Sequence, residues 1–239
     1  MAGKTIEIKA EGGAFDAYIA APSAGKGPGV VVVTYIYGID GDTKGFCDRL
    51  AAQGCVALAQ NFFWRDQESG VLPLNREGSQ RAIARAGRIE KEKVMSDVEL
   101  AIAELKRHPS CNGKIVMLGF CFGGPYVYLA ACRSMIDAGV SFHGTHVSHV
   151  VEPGLVPRCP VSFHYGDEDE MAPQAELDAV RKAVTAGGNG ELVVHHGAGH
   201  GYMFPNRPTG YHAEAARKSW DRAFQLIGAL KTVPAPAAE

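Results

Sequence analysis

Nowhere in this 239-residue chain do about 20 apolar residues run together, the length a helix needs to cross a bilayer. That argues against a membrane span. The opening residues, Met-Ala-Gly-Lys-Thr-Ile-Glu, hold no apolar core of a secretory signal. An excess of positive charge is missing too: 24 Lys and Arg stand against 26 Asp and Glu, a formal net charge of -2. Without that footprint a nucleic-acid partner is not expected. No block of like charge suggests a membrane surface or a polyanion. The six cysteines, Cys47, Cys55, Cys111, Cys121, Cys132 and Cys159, form no C-x-x-C pair. A chain this long is not a disulfide-stapled mini-domain, so most of them read as small buried hydrophobes. A reducing, cytoplasmic setting is expected, and it would keep a catalytic thiol alive.

What is present is an ordinary globular composition, 46% hydrophobic and 21% charged. The length fits one domain spanning residues 1–239, with a frayed tail from Val233. Strand-like and helix-like segments alternate. Thr5 to Lys9 and Ala14 to Ala20 read as a hairpin across Gly12-Gly13. Val30 to Thr34, Cys55 to Ala59, Lys114 to Gly119, Val140 to Phe142, Val161 to Tyr165 and Leu192 to His195 read as further strands. Asp42 to Gln53, Arg81 to Gly87, Glu92 to Arg107, Gly123 to Cys132, Ala175 to Ala186 and Tyr211 to Leu230 read as helices. Residues 61–78 read as an irregular excursion. This alternation predicts an α/β fold: a mostly parallel central sheet with helices on both faces.

The most informative segment is Gly119-Phe120-Cys121-Phe122-Gly123-Gly124. It follows a buried strand and opens a helix, as a nucleophile elbow does, with cysteine where serine is usual. Glycines are needed there because the central residue sits in a strained turn. A helix N-terminus beneath the sulfur favours thiolate. The Phe122 N–H is then a candidate oxyanion donor.

An elbow nucleophile needs a base and an orienting acid, which follow it in the order acid, then histidine. Strand Val161 to Tyr165 runs into Gly166-Asp167-Glu168-Asp169-Glu170-Met171-Ala172-Pro173, and Asp169 is the candidate acid. The next strand runs into Gly197-Ala198-Gly199-His200-Gly201, and His200 is the candidate base. His195 and His196 lie nearer the strand and read as structural or surface groups.

In these motifs the chain resembles the dienelactone hydrolase (carboxymethylenebutenolidase) family of α/β-hydrolases, from about Ile6 to Leu230. The resemblance implies the α/β-hydrolase fold. It implies hydrolysis of a small ester or lactone through a thioester on Cys121, with no metal or organic cofactor. It places Ile36, in Thr34-Tyr35-Ile36-Tyr37-Gly38, as the second oxyanion N–H. It also exposes a departure: Tyr35 stands where the family carries a glutamate that helps deprotonate the cysteine, and a phenol is a poor base near neutrality. Arg81 and Arg207 lie where the family uses arginines to hold a substrate carboxylate, with Arg85, Arg88 and Arg65 as competitors.

Two further groups are candidates for the substrate pocket. Trp64, with Phe62 and Phe63, could wall it or simply cover the core. His143 could line its mouth. His143, His146 and His149 recur every three residues, a spacing open to zinc or nickel, but no acid or cysteine stands beside them, so no metal is expected. A general carboxylesterase or thioesterase remains an alternative, as does a non-catalytic binding member of the fold in which Tyr35 marks lost thiol activation.

Overall fold

The computed structural model describes residues 2–207 and 210–231; the expected frayed tail lies outside them. Eight strands form one sheet: β1 (Lys4–Ala10), β2 (Gly13–Ala20), β3 (Gly27–Val33), β4 (Val56–Gln60), β5 (Cys111–Phe120), β6 (Ala138–Phe142), β7 (Val161–Gly166) and β8 (Gly190–His195). The helices are α1 (Gly41–Ala52), α2 (Arg76–Ala86), α3 (Lys91–Arg107), α4 (Gly124–Cys132), α5 (Gln174–Thr185) and α6 (Ala213–Ala229). The strand order is β1-β2-β4-β3-β5-β6-β7-β8. β1 pairs β2 and β2 pairs β4 antiparallel; every pairing from β4 to β8 is parallel. This is the expected mostly parallel sheet.

The buried run of β3 shows why helices cover both faces. Successive side chains of a strand point to opposite faces. Val31 and Val33 accordingly join one core with Val94 and Val98 of α3, Val127 of α4 and Val180 of α5. Val30 and Val32 join the other, with Phe46 and Leu50 of α1 and Trp220 and Ile227 of α6. An apolar run without alternation is stable only when both faces are covered.

Helix starts differ from the sequence reading where a cap decides them. α2 begins at Arg76, five residues before the expected Arg81, because the Asn75 side chain accepts the Gly78 N–H at 2.8 Å. α6 begins after His212, whose ring accepts the Ala215 N–H at 3.2 Å. The excursion therefore ends at Asn75 rather than Gly78. Among the described residues no helix is long and apolar enough to cross a membrane.

Candidate active site

The parallel strands all deliver their carboxyl ends to one edge, and loops from that edge build the site. β5 ends at Phe120 and a 3₁₀ turn, Cys121–Gly123, leads into α4. Cys121 sits at φ +52, a left-handed conformation rare for a residue with a Cβ. The flanking glycines make the turn possible. A Cβ on Gly119 would lie 2.6 Å from both the Gly123 carbonyl oxygen and Val127 Cγ2, and one on Gly123 would lie 2.9 Å from the Val33 carbonyl oxygen.

The structure brings the three triad candidates together. His200 Nε2 lies 3.2 Å from Cys121 Sγ. His200 Nδ1 lies 3.1 and 3.0 Å from the two carboxylate oxygens of Asp169. Asp169 itself is fixed by the Met171 N–H, which donates to it at 2.9 Å. Burial alone would raise the Cys121 thiol, but the His200 charge and hydrogen bond, then Arg207 and the Phe122 N–H, hold it below its ordinary value. Burial alone would lower His200, but the Cys121 thiolate and the Asp169 hydrogen bond push it up to about 10. Together these favour a thiolate–imidazolium pair.

The oxyanion candidates come from the loops that follow β5 and β3. The Phe122 N–H already faces it. The Ile36 N–H follows β3, and among the described residues it donates to no backbone or side-chain acceptor. Tyr35 is fully buried and its hydroxyl donates to Asp40, so the phenol is tied to that carboxylate. Burial, the Asp40 charge and that bond all push its ionisation far up, so it cannot be a base here.

The two named arginines part company. Arg207 lies over the rings of Phe204 (4.6 Å), Tyr35 (4.7 Å) and Tyr37 (5.8 Å). It packs so closely on Gly201, next to His200, that a Cβ there would sit 2.4 Å from its Nη1. Its buried Nε makes no hydrogen bond and no carboxylate pairs with it among the described residues. Arg81 instead pairs with Glu68 at 2.5 Å and with Glu77 at 3.6 Å, half exposed on α2.

Trp64 does not wall the site. Its indole N–H donates to Asp97 at 2.8 Å, its ring packs on Phe15, and it lines a surface hollow with Glu11, Arg65 and Lys93. It covers the core, because the turn after β4 carries it over α3. Phe63 is the excursion's nearer ring, 5.8 Å from Phe122. His143 lies at the site but inside it. It is fully buried, 4.9 Å edge-on to His200, with neither ring nitrogen hydrogen-bonded. Burial, then the charges of His200 and Arg207, hold it neutral. His146 and His149 face each other at 4.9 Å and leave His143 out. Among the described residues no group of three or more His, Cys, Asp or Glu could hold a metal.

One residue here was named in the sequence only as a competitor. Arg85 is fully buried and spans α2 to the loop after β3. The signal was available: the buried stripe of α2 runs Gly78, Ala82, Arg85, at helical spacing.

The dienelactone hydrolase family model matches residues 15–231. A protein of Synechocystis sp. is 30% identical over 226 residues, which cover 88% of this chain and 89% of that protein. The carboxymethylenebutenolidase of Pseudomonas sp. strain P51 is 25% identical over 233 residues, covering 97% and 96%. Among solved structures, a dienelactone hydrolase-like promiscuous phosphotriesterase from metagenomic libraries superposes with a TM-score of 0.82 at 21% identity, over 96% of this chain and 98% of that one. At that identity the likeness speaks to the fold.

Proposed function

The chain belongs to the dienelactone hydrolase family, and on that premise we propose that it is a carboxylic ester hydrolase that opens a small ester or lactone through Cys121. The observation that carries the reading is the relay from Asp169 through His200 to the sulfur, with contacts of 3.0 and 3.2 Å.

The steps follow from these groups. The Cys121 thiolate adds to the ester carbonyl, forming a C–S bond. The carbonyl oxygen becomes an oxyanion between the Ile36 and Phe122 N–H groups. Collapse expels the alkoxide or enolate, which takes the proton from His200 Nε2 and leaves a thioester. In a lactone the leaving oxygen stays tethered to the acyl group. His200 then removes a proton from water, which attacks the thioester and frees Cys121. Asp169 holds the imidazole's orientation and balances its charge.

Arg207 suits an anionic substituent on the substrate, because a guanidinium beside His200 with no carboxylate partner among the described residues can receive one in a bidentate geometry. Tyr35 offers its ring face beneath that guanidinium rather than a base. His143 backs His200. Arg81 and Trp64 have other partners and are left out of the substrate site. Residues 1–239 act as one domain in this reading, since one sheet supplies every site loop. Six unpaired cysteines, including the nucleophile, fit a reducing cytoplasm.

The test compares turnover of p-nitrophenyl acetate and of a dienelactone by wild type and Cys121→Ala. Loss of both activities in the variant is expected; an active Cys121→Ala protein sinks the reading. A binding protein that keeps the fold is the second reading, favoured by Tyr35 being tied to Asp40. It takes the lead if the wild type turns over neither substrate.

A further inference from the structure

Among the described residues Arg85 is the largest fully buried side chain, and none of its hydrogen bonds there goes to a carboxylate. Nε and Nη2 both donate to the Ile36 carbonyl oxygen, at 3.0 and 2.7 Å. Nη1 donates to the carbonyl oxygens of Glu68 and Gly70, each at 2.6 Å. The guanidinium lies 3.9 Å over the Phe63 ring. Burying a cation is unfavourable unless its donors are used, so this arrangement needs a reason beyond filling space.

The acceptors identify that reason. Ile36 carries the candidate oxyanion N–H on one side of its Cα and the doubly held carbonyl on the other. Tyr35, just before it, is fixed by its buried ring, by the bond to Asp40 and by its carbonyl, which accepts the Gly38 N–H at 3.2 Å. With both neighbouring peptides held, the direction of the Ile36 N–H is set. Gly38 sits at φ +93, and a Cβ there would lie 3.3 Å from Arg85 Nη2, so the loop is shaped to admit the guanidinium. The excursion is strapped to the same loop by the Leu72 N–H, which donates to the Tyr37 carbonyl at 3.0 Å.

We propose that Arg85 is a positioning residue for ester hydrolysis, holding the Ile36 peptide so that its N–H meets the oxyanion. The inference rests on the reading of Ile36 and Cys121 under the proposed function. Lysine cannot replace it: a single ammonium cannot place two donors on one carbonyl and two more on separate oxygens in a planar fork.

The test separates two reactions of one thiolate. Acylation of Cys121 by p-nitrophenyl acetate needs both the thiolate and the oxyanion donors. Alkylation by iodoacetamide needs the thiolate and no oxyanion donor. In Arg85→Lys and Arg85→Gln, single-turnover acylation should fall on the order of 100-fold, the cost of a misplaced donor and the lower end of the cost of a lost one. The alkylation rate should stay within about twofold of wild type, a margin far below that loss. Arg85→Lys keeps the charge and should retain more acylation than Arg85→Gln. Unchanged acylation in both variants overturns the proposal. So does a parallel fall in both reactions, or loss of the folded state in both variants by thermal melt, because Arg85 is then only structural. If wild-type Cys121 is not acylated at all, it is the proposed function that fails, whatever Arg85 does.

Discussion

Replacing His200 with Gln takes the imidazolium from beside Cys121 and leaves a polar side chain in its place. In the wild type the sulfur lies 3.2 Å from Nε2. His200 is pushed up to about 10, so it stays charged through the neutral range. The thiolate is then the resting form above the lowered pKa of Cys121. Without the cation, the largest influence left is burial, which acts upward on a thiol. A thiol with a pKa of ~8.5 is only about 3% ionised near pH 7. Iodoacetamide reacts with the thiolate, so H200Q should alkylate more slowly at that pH, by up to ~30-fold where the wild-type thiol is fully ionised. Each further unit that burial adds deepens the loss about tenfold. The assay is the pseudo-first-order rate against pH, with the adduct located on Cys121 by mass spectrometry. The other five cysteines are buried and serve as an internal control for unfolding. The wild-type rate should rise through the lowered thiol pKa, level off, and change again near pH 10 as His200 loses its proton. H200Q should show one rise, at or above the ordinary thiol value. Equal rates near pH 7, or a wild-type profile with a single midpoint at the ordinary thiol value, would refute the ion pair.

Gly119→Ala puts a Cβ 2.6 Å from the Gly123 carbonyl oxygen and from Val127 Cγ2. Overpacking of that kind costs about 3 kcal/mol, or a Tm lower by roughly 6–12 °C; an unchanged melt would show that the elbow gives way freely. Arg207→Ala should depress kcat/KM for a carboxylate-bearing ester by about 10- to 100-fold more than for p-nitrophenyl acetate, the worth of a charged hydrogen bond. Equal losses on the two substrates would remove Arg207 from anion binding. Acid should destabilise the fold through its buried neutral histidines. His143 is held well below the usual imidazole range and His164 is lowered to about 3, burial being the main cause in both. Below about pH 6.5 the unfolded chain takes up protons that the folded chain refuses, so their stability contribution is full above that pH and falls as pH falls. Near pH 5 each of the two should cost about 2 kcal/mol, and a urea midpoint constant from pH 6.5 to 5 would contradict this.

The class of fold was legible because its signals are local. Apolar runs such as Val30 to Val33 have no polar side to turn toward water, so they require a covered, parallel sheet. The elbow was legible for the same reason: Gly119, Cys121 and Gly123 are neighbours in sequence, and the turn that needs them is five residues long. The candidate acid and base could be named because strand ends deliver Asp169 and His200 to the edge where β5 delivers Cys121. Chain order alone says which loops meet there.

Side-chain partners across the sheet edge were decided only by the folded chain. Arg85 and Ile36 are 49 residues apart, and nothing local to either marks the carbonyl that takes two guanidinium donors. Arg81 and Arg207 look alike as letters. One meets Glu68 on an exposed face, while the other lands on a bed of three aromatic rings beside His200. Trp64 turned to Asp97 and the core, where its N–H finds an acceptor, instead of to the thiol. Tyr35 could be seen to lack a base's chemistry, but the bond to Asp40 that tethers it exists only once the loop closes on α1. The sequence determined which residues are candidates for the chemistry and at which edge of the sheet they gather. Tertiary packing decided which charges find partners and which stay free for a substrate, because burial and partnership depend on chain segments far apart in sequence.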